Sequence, residues 1–278
     1  MNVLEFTAIV AACSFGAGFL GALTGLGGGV VIVPLLTLGF GVDIRYAIGA
    51  SLVSVIATSS GAAAAYVKEG FSNIRIGMFL EMATTFGAVV GASIATGVST
   101  QVIAIIFGMV LIYSAYLSGR LQAEQLGAGS PDLLGKFLRM DASYPGTGGP
   151  VYYSVRAIPA GFSLMFVAGI LSGLLGIGSG AVKVLAMDQI MRIPFKVSTA
   201  TSNFMIGVTA AASAGLYLDR GYIDPGLAMP VMLGVLFGSL LGARVLPDAK
   251  TRALRIVFAL VILGLGIEMI YNGFTGRL

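Results

Sequence analysis

Apolar residues gather in eight stretches along the chain, at about 4–38, 45–67, 74–97, 100–118, 157–190, 197–218, 223–246 and 253–271. Six of these have the length of a single membrane-spanning helix. The first and fifth are too long. The run from Val3 to Leu38 would reach roughly 54 Å as one helix, against a hydrocarbon core of roughly 30 Å. Each long run is interrupted by a glycine cluster, Gly25-Leu26-Gly27-Gly28-Gly29 in the first and Gly176-Ile177-Gly178-Ser179-Gly180 in the fifth. Such segments are poor helix and let the backbone turn sharply, so both runs are expected to break there. The one long polar stretch, Gly119 to Arg156, contains Ser130-Pro131-Asp132 and the turn-rich Tyr144 to Pro150, and reads as a linker outside the membrane. Within it, Leu133 to Met140 fits a short amphipathic surface helix.

The two halves flanking the linker are repeats. Adding 151 to a residue number in the first half gives its mate in the second without a gap. Gly25, Gly27 and Gly29 meet Gly176, Gly178 and Gly180; Ser51 meets Ser202, Thr58 meets Thr209 and Tyr66 meets Tyr217. Phe86, Gly87, Gly91 and Ala92 meet Phe237, Gly238, Gly242 and Ala243. Shared aromatics and threonines in one register argue for duplication rather than chance.

Basic residues decide how the halves are oriented, since cytoplasmic loops collect Lys and Arg. Eight simple crossings would divide the sixteen basic residues evenly between the two sides. If each glycine-broken run makes no net crossing, the second half is inverted, and all but Arg45, Arg220 and Arg277 fall on one side. The charges favour inverted repeats with the linker in the cytoplasm. The expected architecture is an all-α polytopic membrane protein of eight hydropathic segments and up to ten helices. It comprises a first membrane repeat (1–118), a cytoplasmic linker (119–156) and a second membrane repeat (157–278).

Composition agrees with this class. The chain is 57% hydrophobic and 10% charged, with mean hydropathy +0.96, whereas a soluble domain carries about 25% charged residues. A net charge of +4, thinly spread, gives no nucleic-acid footprint. Histidine is absent, which removes imidazole bases, relays and metal ligands; the single Cys13 excludes an internal disulfide and is expected to be buried in the first helix. No metal or cofactor is expected, and no catalytic constellation is present.

The clusters lack the Lys-Ser/Thr of a phosphate loop, and Gly178-Ser179-Gly180 lacks the histidine of a serine nucleophile site. What remains is physical. A helix beginning at Gly29 or Gly180 aims free N–H groups and a positive dipole end at whatever fills the break. The candidate binding residues are Gly25, Gly27, Gly28, Gly29, Gly176, Gly178, Ser179 and Gly180, joined by Ser51, Ser202 and Asn203 from the hydroxyl-rich stretches downstream. The plainer reading of all these small and hydroxyl residues is close helix packing, and it is the one expected for Gly87, Gly91, Gly238 and Gly242. Lys183, whose mate is Ile32, either supplies positive charge to one side of the site or snorkels to the cytoplasmic face. Glu81, whose mate is Met232, is a candidate for proton coupling or a structural carboxylate. Tyr66, Tyr217, Tyr222 and Tyr271 fit an aromatic belt.

The duplicated Gly-Leu-Gly-Gly-Gly and Gly-Ile-Gly-Ser-Gly breaks, each followed by Gly49-Ala50-Ser51 or Ala200-Thr201-Ser202, resemble the sulfite exporter TauE/SafE family, also called toluene-sulfonate uptake permeases. The resemblance covers nearly the whole chain outside the linker. It implies a multi-pass carrier of the bacterial inner membrane for a small sulfur-containing anion: sulfite, thiosulfate or an organosulfonate. The expected function is secondary transport by alternating access, with a passive anion channel as the alternative. The expected partners are that anion, the bilayer and a second copy of the chain in a homodimer.

Overall fold

A computed structural model describes residues 3–24, 28–68, 70–95, 97–119, 133–138, 140–146, 149–245 and 251–276. Helix α1 (Val3–Thr24) ends at the first glycine cluster. The chain resumes as α2 (Gly29–Pro34), which runs into a π-helical turn, Leu35–Gly39. Helices α3 (Ile44–Lys68), α4 (Ile74–Ala95) and α5 (Thr100–Gly119) complete the first half. The linker holds a short α6 (Leu133–Phe137) and a hairpin of β1 (Ala142–Gly146) with β2 (Gly149–Tyr153). The second half repeats the first: α7 (Ile158–Leu175), α8 (Gly180–Leu185) with a π-helical turn Ala186–Ile190, then α9 (Phe195–Asp219), α10 (Pro225–Val245) and α11 (Thr251–Thr275). The starts of α2, α3, α4 and α5 fall 151 residues before those of α8, α9, α10 and α11, the spacing of the sequence repeat. Among the described residues, α1, α3, α4, α7 and α10 are long and apolar enough to cross a membrane by length and composition.

Helices of one half pack on those of the other: α1 lies along α10, α4 along α7, α5 along α11, and α3 crosses α9 at the centre. Close approach is made through glycine. In α4, Gly87 abuts the Phe166 carbonyl and Gly91 that of Ile170; in α10, the mates Gly238 and Gly242 abut the carbonyls of Phe15 and Phe19. Contacts that advance together along both helices make each of these pairs parallel. The mates α5 and α11 run antiparallel: Gly273 meets Gln101 and Ala104 near the start of α5, whereas Gly266 meets Leu111 and Ile112 farther along.

Connections gather at two ends of the bundle. At one end Asn73 caps α4, its Oδ1 accepting from the Ile76 N–H (3.2 Å), and its amide donates to the Met140 carbonyl (3.1 Å) and the Tyr153 hydroxyl (2.8 Å). The hairpin therefore docks on the α3–α4 turn, where the sequence suggested only an irregular linker. Its register places Ala142 opposite Tyr153, and alternation buries Tyr144 and Tyr153 beside Phe71 while Tyr152 faces out. Burial pushes the Tyr153 phenol up to about 12, against the lowering effect of the Asn73 hydrogen bond, so it stays protonated. At the other end Arg45 reaches the Val98 carbonyl (3.3 Å) and the Tyr222 hydroxyl (3.4 Å), and Arg220 the Ala92 carbonyl (3.2 Å).

Two expectations are corrected. Cys13 is exposed, because it lies on the face of α1 turned away from α10, opposite the Ala11 and Ser14 contacts with Gly234. Tyr217 is buried rather than in a surface belt, and its hydroxyl donates to the carbonyls of Gly173 and Leu174 at the end of α7. Those carbonyls close a helix that breaks at Gly176, so they need a donor from outside it.

Tight and open glycines give a direct test of this packing. Gly91→Ala places a methyl group onto the Ile170 carbonyl and is expected to destabilise the fold by about 1–3 kcal/mol. Gly264→Ala, where nothing lies within 4 Å, is expected to stabilise it by up to about 1 kcal/mol through helix propensity. Thermal unfolding of the detergent-solubilised variants measures both.

Candidate functional site

The second glycine cluster interrupts helix between α7 and α8, and the helices α2 and α8 start at Gly29 and Gly180. In the second break the local cause is explicit. Gly176 (φ +66°) and Gly178 (φ +68°) are left-handed, and Ser179 is held at φ +47°. A side chain at Gly176 would strike Ile48 and one at Gly178 would meet Val55, so the α3 surface presses on the break. In the first cluster Gly25 and Gly27 lie outside the described residues. A Cβ on Gly28 would touch Val235 and Thr58, and one on Gly29 would stand 2.5 Å from Ser51 Oγ and 3.0 Å from the Gly176 carbonyl.

The two breaks therefore meet across the middle of α3 and α9. Ser51, fully buried, donates to the Gly176 carbonyl at 2.7 Å. Ser202 donates to the Gly180 carbonyl at 3.4 Å, and the Asn203 amide donates to the Ala22 carbonyl at 3.3 Å, near the end of α1. Each half thus sends a polar side chain from its central helix to the other half's interrupted segment. Among the described residues, the Ser179 hydroxyl and the Asn203 Oδ1 are buried with no hydrogen-bond partner. A buried polar atom left unpaired is costly, and a bound ligand or water would satisfy it. Gly28, Gly29, Ser51, Gly176, Gly178, Ser179, Gly180, Ser202 and Asn203 thus occupy one region.

Lys183 and Glu81 were separate candidates in the sequence, and the structure joins them. Lys183 is fully buried, so it does not snorkel. Its ammonium stands 3.5 Å from Glu81 Oε2 and donates to the Thr209 hydroxyl, which donates to Glu81 Oε1. Thr85 also donates to Oε1, at 3.2 Å. Lys183 thus offers no unbalanced positive charge in this arrangement. Thr209 has no role in the sequence reading beyond its repeat mate Thr58. A signal for the pair was present: Glu81 and Lys183 both stand where their mates, Met232 and Ile32, are apolar, and two lone opposite charges in hydrocarbon need one another.

Removing one partner of a buried ion pair strands the other. Lys183→Ile or Glu81→Met alone is expected to cost about 3–5 kcal/mol, whereas the double variant, which copies the mates in the other half, is expected to recover most of the loss. Thermal unfolding of the three variants in detergent measures the coupling.

Comparison with known proteins places the chain among membrane transporters. The family model described as "Sulfite exporter TauE/SafE" matches residues 10–269. "Probable membrane transporter protein YunE" of Bacillus subtilis (strain 168) is 30% identical over 265 residues, covering 92% of this chain and 94% of that protein. "Probable membrane transporter protein YdhB" of the same organism is 26% identical, with 82% and 83% covered. "Probable membrane transporter protein MJ0441" of Methanocaldococcus jannaschii is 23% identical over 92% of both chains. No solved structure matches.

Proposed function

Since the chain belongs to the sulfite exporter TauE/SafE family and is a multi-pass membrane protein, we propose that it is a secondary transporter of a small sulfur-containing anion, whether sulfite, thiosulfate or an organosulfonate, in a bacterial cell membrane. The observation that carries this reading is the meeting of two interrupted helices. At the start of α2, which with its π-helical turn spans Gly29–Gly39, the Val31 and Ile32 N–H groups bond back to the Gly28 carbonyl, and at the start of α8 that of Lys183 bonds to Ser179. This leaves the N–H groups of the first residues, Gly29 and Val30 in one and Gly180 to Val182 in the other, without a partner inside their helices. Ser51, Ser202 and Asn203 stand beside them, and Ser179 and Asn203 each keep a buried polar atom unpaired. Such an arrangement suits an oxyanion, which accepts several hydrogen bonds and gains from two positive dipole ends.

The antiparallel course of α5 and α11, helices equivalent by repeat, supports an inverted pair of membrane repeats. In this orientation the linker and hairpin face the cytoplasm, with Arg45 and Arg220 on the opposite side, as the distribution of basic residues favours. Rocking of one half against the other about the crossing of α3 and α9 would expose the pocket to each side in turn.

Purified protein in liposomes tests the reading. Labelled sulfite, thiosulfate and isethionate are offered with and without unlabelled anion inside; a carrier shows trans-stimulation and saturation, whereas a passive channel shows neither. Ser202→Ala and Asn203→Ala are each expected to raise KM by about tenfold, the equivalent of one lost hydrogen bond to a charged ligand. A properly folded protein that moves none of the three anions overturns the proposal.

A further inference from the structure

The halves match position by position, yet the pocket they frame is flanked by charge on one side alone. Thr209 keeps its mate Thr58, but Lys183 and Glu81 replace what in the other half are Ile32 and Met232. The fold accommodates an apolar pair at the equivalent place, with Ile32 fully buried, so packing does not demand the ions. The pair is bridged by Thr209 and leaves some of its bonding capacity unused. Lys183 carries three N–H donors, and the hydrogen bond described for its ammonium goes to Thr209; Glu81 Oε2 faces the ammonium at 3.5 Å and, among the described residues, has no hydrogen bond of its own. The unused donors of the ammonium and the unpaired Oε2 are free to take a further partner.

Position puts that exchange within reach of the pocket. Lys183 lies in the short α8, three residues beyond Gly180. Thr209 shares a face of α9 with Ser202, seven residues and about 10 Å along the same helix. Other ionisable groups on the packed elements lie elsewhere: Arg75 at the start of α4, Lys196, Tyr217 and Asp219 toward the ends of α9, Tyr113 and Tyr116 on α5, and Asp188 in the turn after α8, while α7 has none.

We propose that Lys183 is handed between Glu81 and the transported anion, so that one proton crosses with each monoanion. The proposal rests on the transporter reading above. In the empty carrier the ammonium and carboxylate cancel. When a monoanion binds, it takes over Lys183, and the released Glu81 carboxylate forms an O–H bond with a proton from the entry side. The loaded site again sums to zero. On the exit side the anion leaves, the Glu81 O–H breaks, its proton departs and the carboxylate returns to Lys183; no electrons are transferred. Both states that cross the low-dielectric interior are neutral, and avoiding the cost of an unpaired charge there is the physical reason for the coupling. A single fixed positive charge also selects monoanions, such as a sulfonate, over dianions such as thiosulfate.

The experiment uses full-length protein in liposomes with the membrane potential clamped at zero and labelled isethionate as probe. Wild type is expected to accumulate isethionate about tenfold per unit of pH gradient, acidic outside, the stoichiometric limit for one proton per anion. An internal pH dye is expected to report acidification that depends on added isethionate. Glu81→Gln, which keeps a polar side chain beside Thr209, is expected to lose pH-driven accumulation, and the isethionate flux that it supports to respond to an imposed potential. Wild-type counterflow with no effect of the pH gradient and no dye signal overturns the coupling while leaving the transporter reading intact, as does pH-driven accumulation by Glu81→Gln. Absence of counterflow for isethionate, sulfite and thiosulfate alike overturns the transporter reading and the coupling with it.

Discussion

A polypeptide that stops being helical inside hydrocarbon must have its freed N–H and C=O groups answered by protein, because no water is there to do it. This chain does so crosswise. Ser51 of the first half answers the Gly176 carbonyl of the second, and Asn203 of the second answers the Ala22 carbonyl of the first. Tyr217 adds a donor to the last carbonyls of α7. The placement of Ser51 on α3 and of Ser202 and Asn203 on α9 follows from that need. So does their central crossing, which lets both helices touch both breaks. Neither half can satisfy its own interruption fully, so the halves fold as one body, and a shift at one break is felt by the other half's central helix.

Much of this was legible in the sequence. The 151-residue spacing, the two breaks and the starts of α2 and α8 are written in glycine placement and in the length of a span, which are local and geometric. Gly87, Gly91, Gly238 and Gly242 were rightly read as packing residues, since only helix–helix contact uses them. The hairpin was not foreseen, because Pro145, Gly146 and Pro150 advertise turns while the alternation of Tyr152 outward and Tyr153 inward is only two residues deep. The burial of Tyr217 was missed for another reason. An aromatic near a helix end suits a belt by sequence alone, and only the position of α7 shows that its hydroxyl has carbonyls to satisfy.

The joining of Lys183 and Glu81 illustrates a different limit. Contacts within one half repeat in the other and are read twice, whereas a contact between halves that breaks the repeat appears once. Its trace is negative: two positions where the mates are apolar and the residues are not. Departures from internal symmetry therefore deserve the weight usually given to motifs, because a duplicated scaffold supplies its own control. By that measure Thr209 carries a different meaning from its mate. Thr58 donates to the Ser54 carbonyl of its own helix, as a threonine in a membrane helix commonly does, while Thr209 stands between an ammonium and a carboxylate.

Symmetry also bears on how such a molecule would work. If two inverted halves were identical, the inward-open and outward-open states would be mirror versions of one structure with equal energy, and neither would be favoured without a ligand. Any resting preference must then come from what the halves do not share, since an equilibrium shifts only through differences between its states. Among the described residues, the hairpin held by Asn73 at one end has no counterpart in the other half. The opposite end is instead joined by Arg45, lying over the Tyr222 ring and hydrogen-bonded to its hydroxyl. One connection is an added strap of chain bonded through neutral amide and phenol, and the other a single cation bridging neighbouring elements. The hairpin contacts involve only groups that hold their protonation across the physiological range, and the arginine keeps its charge there too. Of the features that break the symmetry, the Lys183–Glu81 pair sets opposite charges inside the bundle itself, so an exchange of partners there bears directly on the balance between the two states.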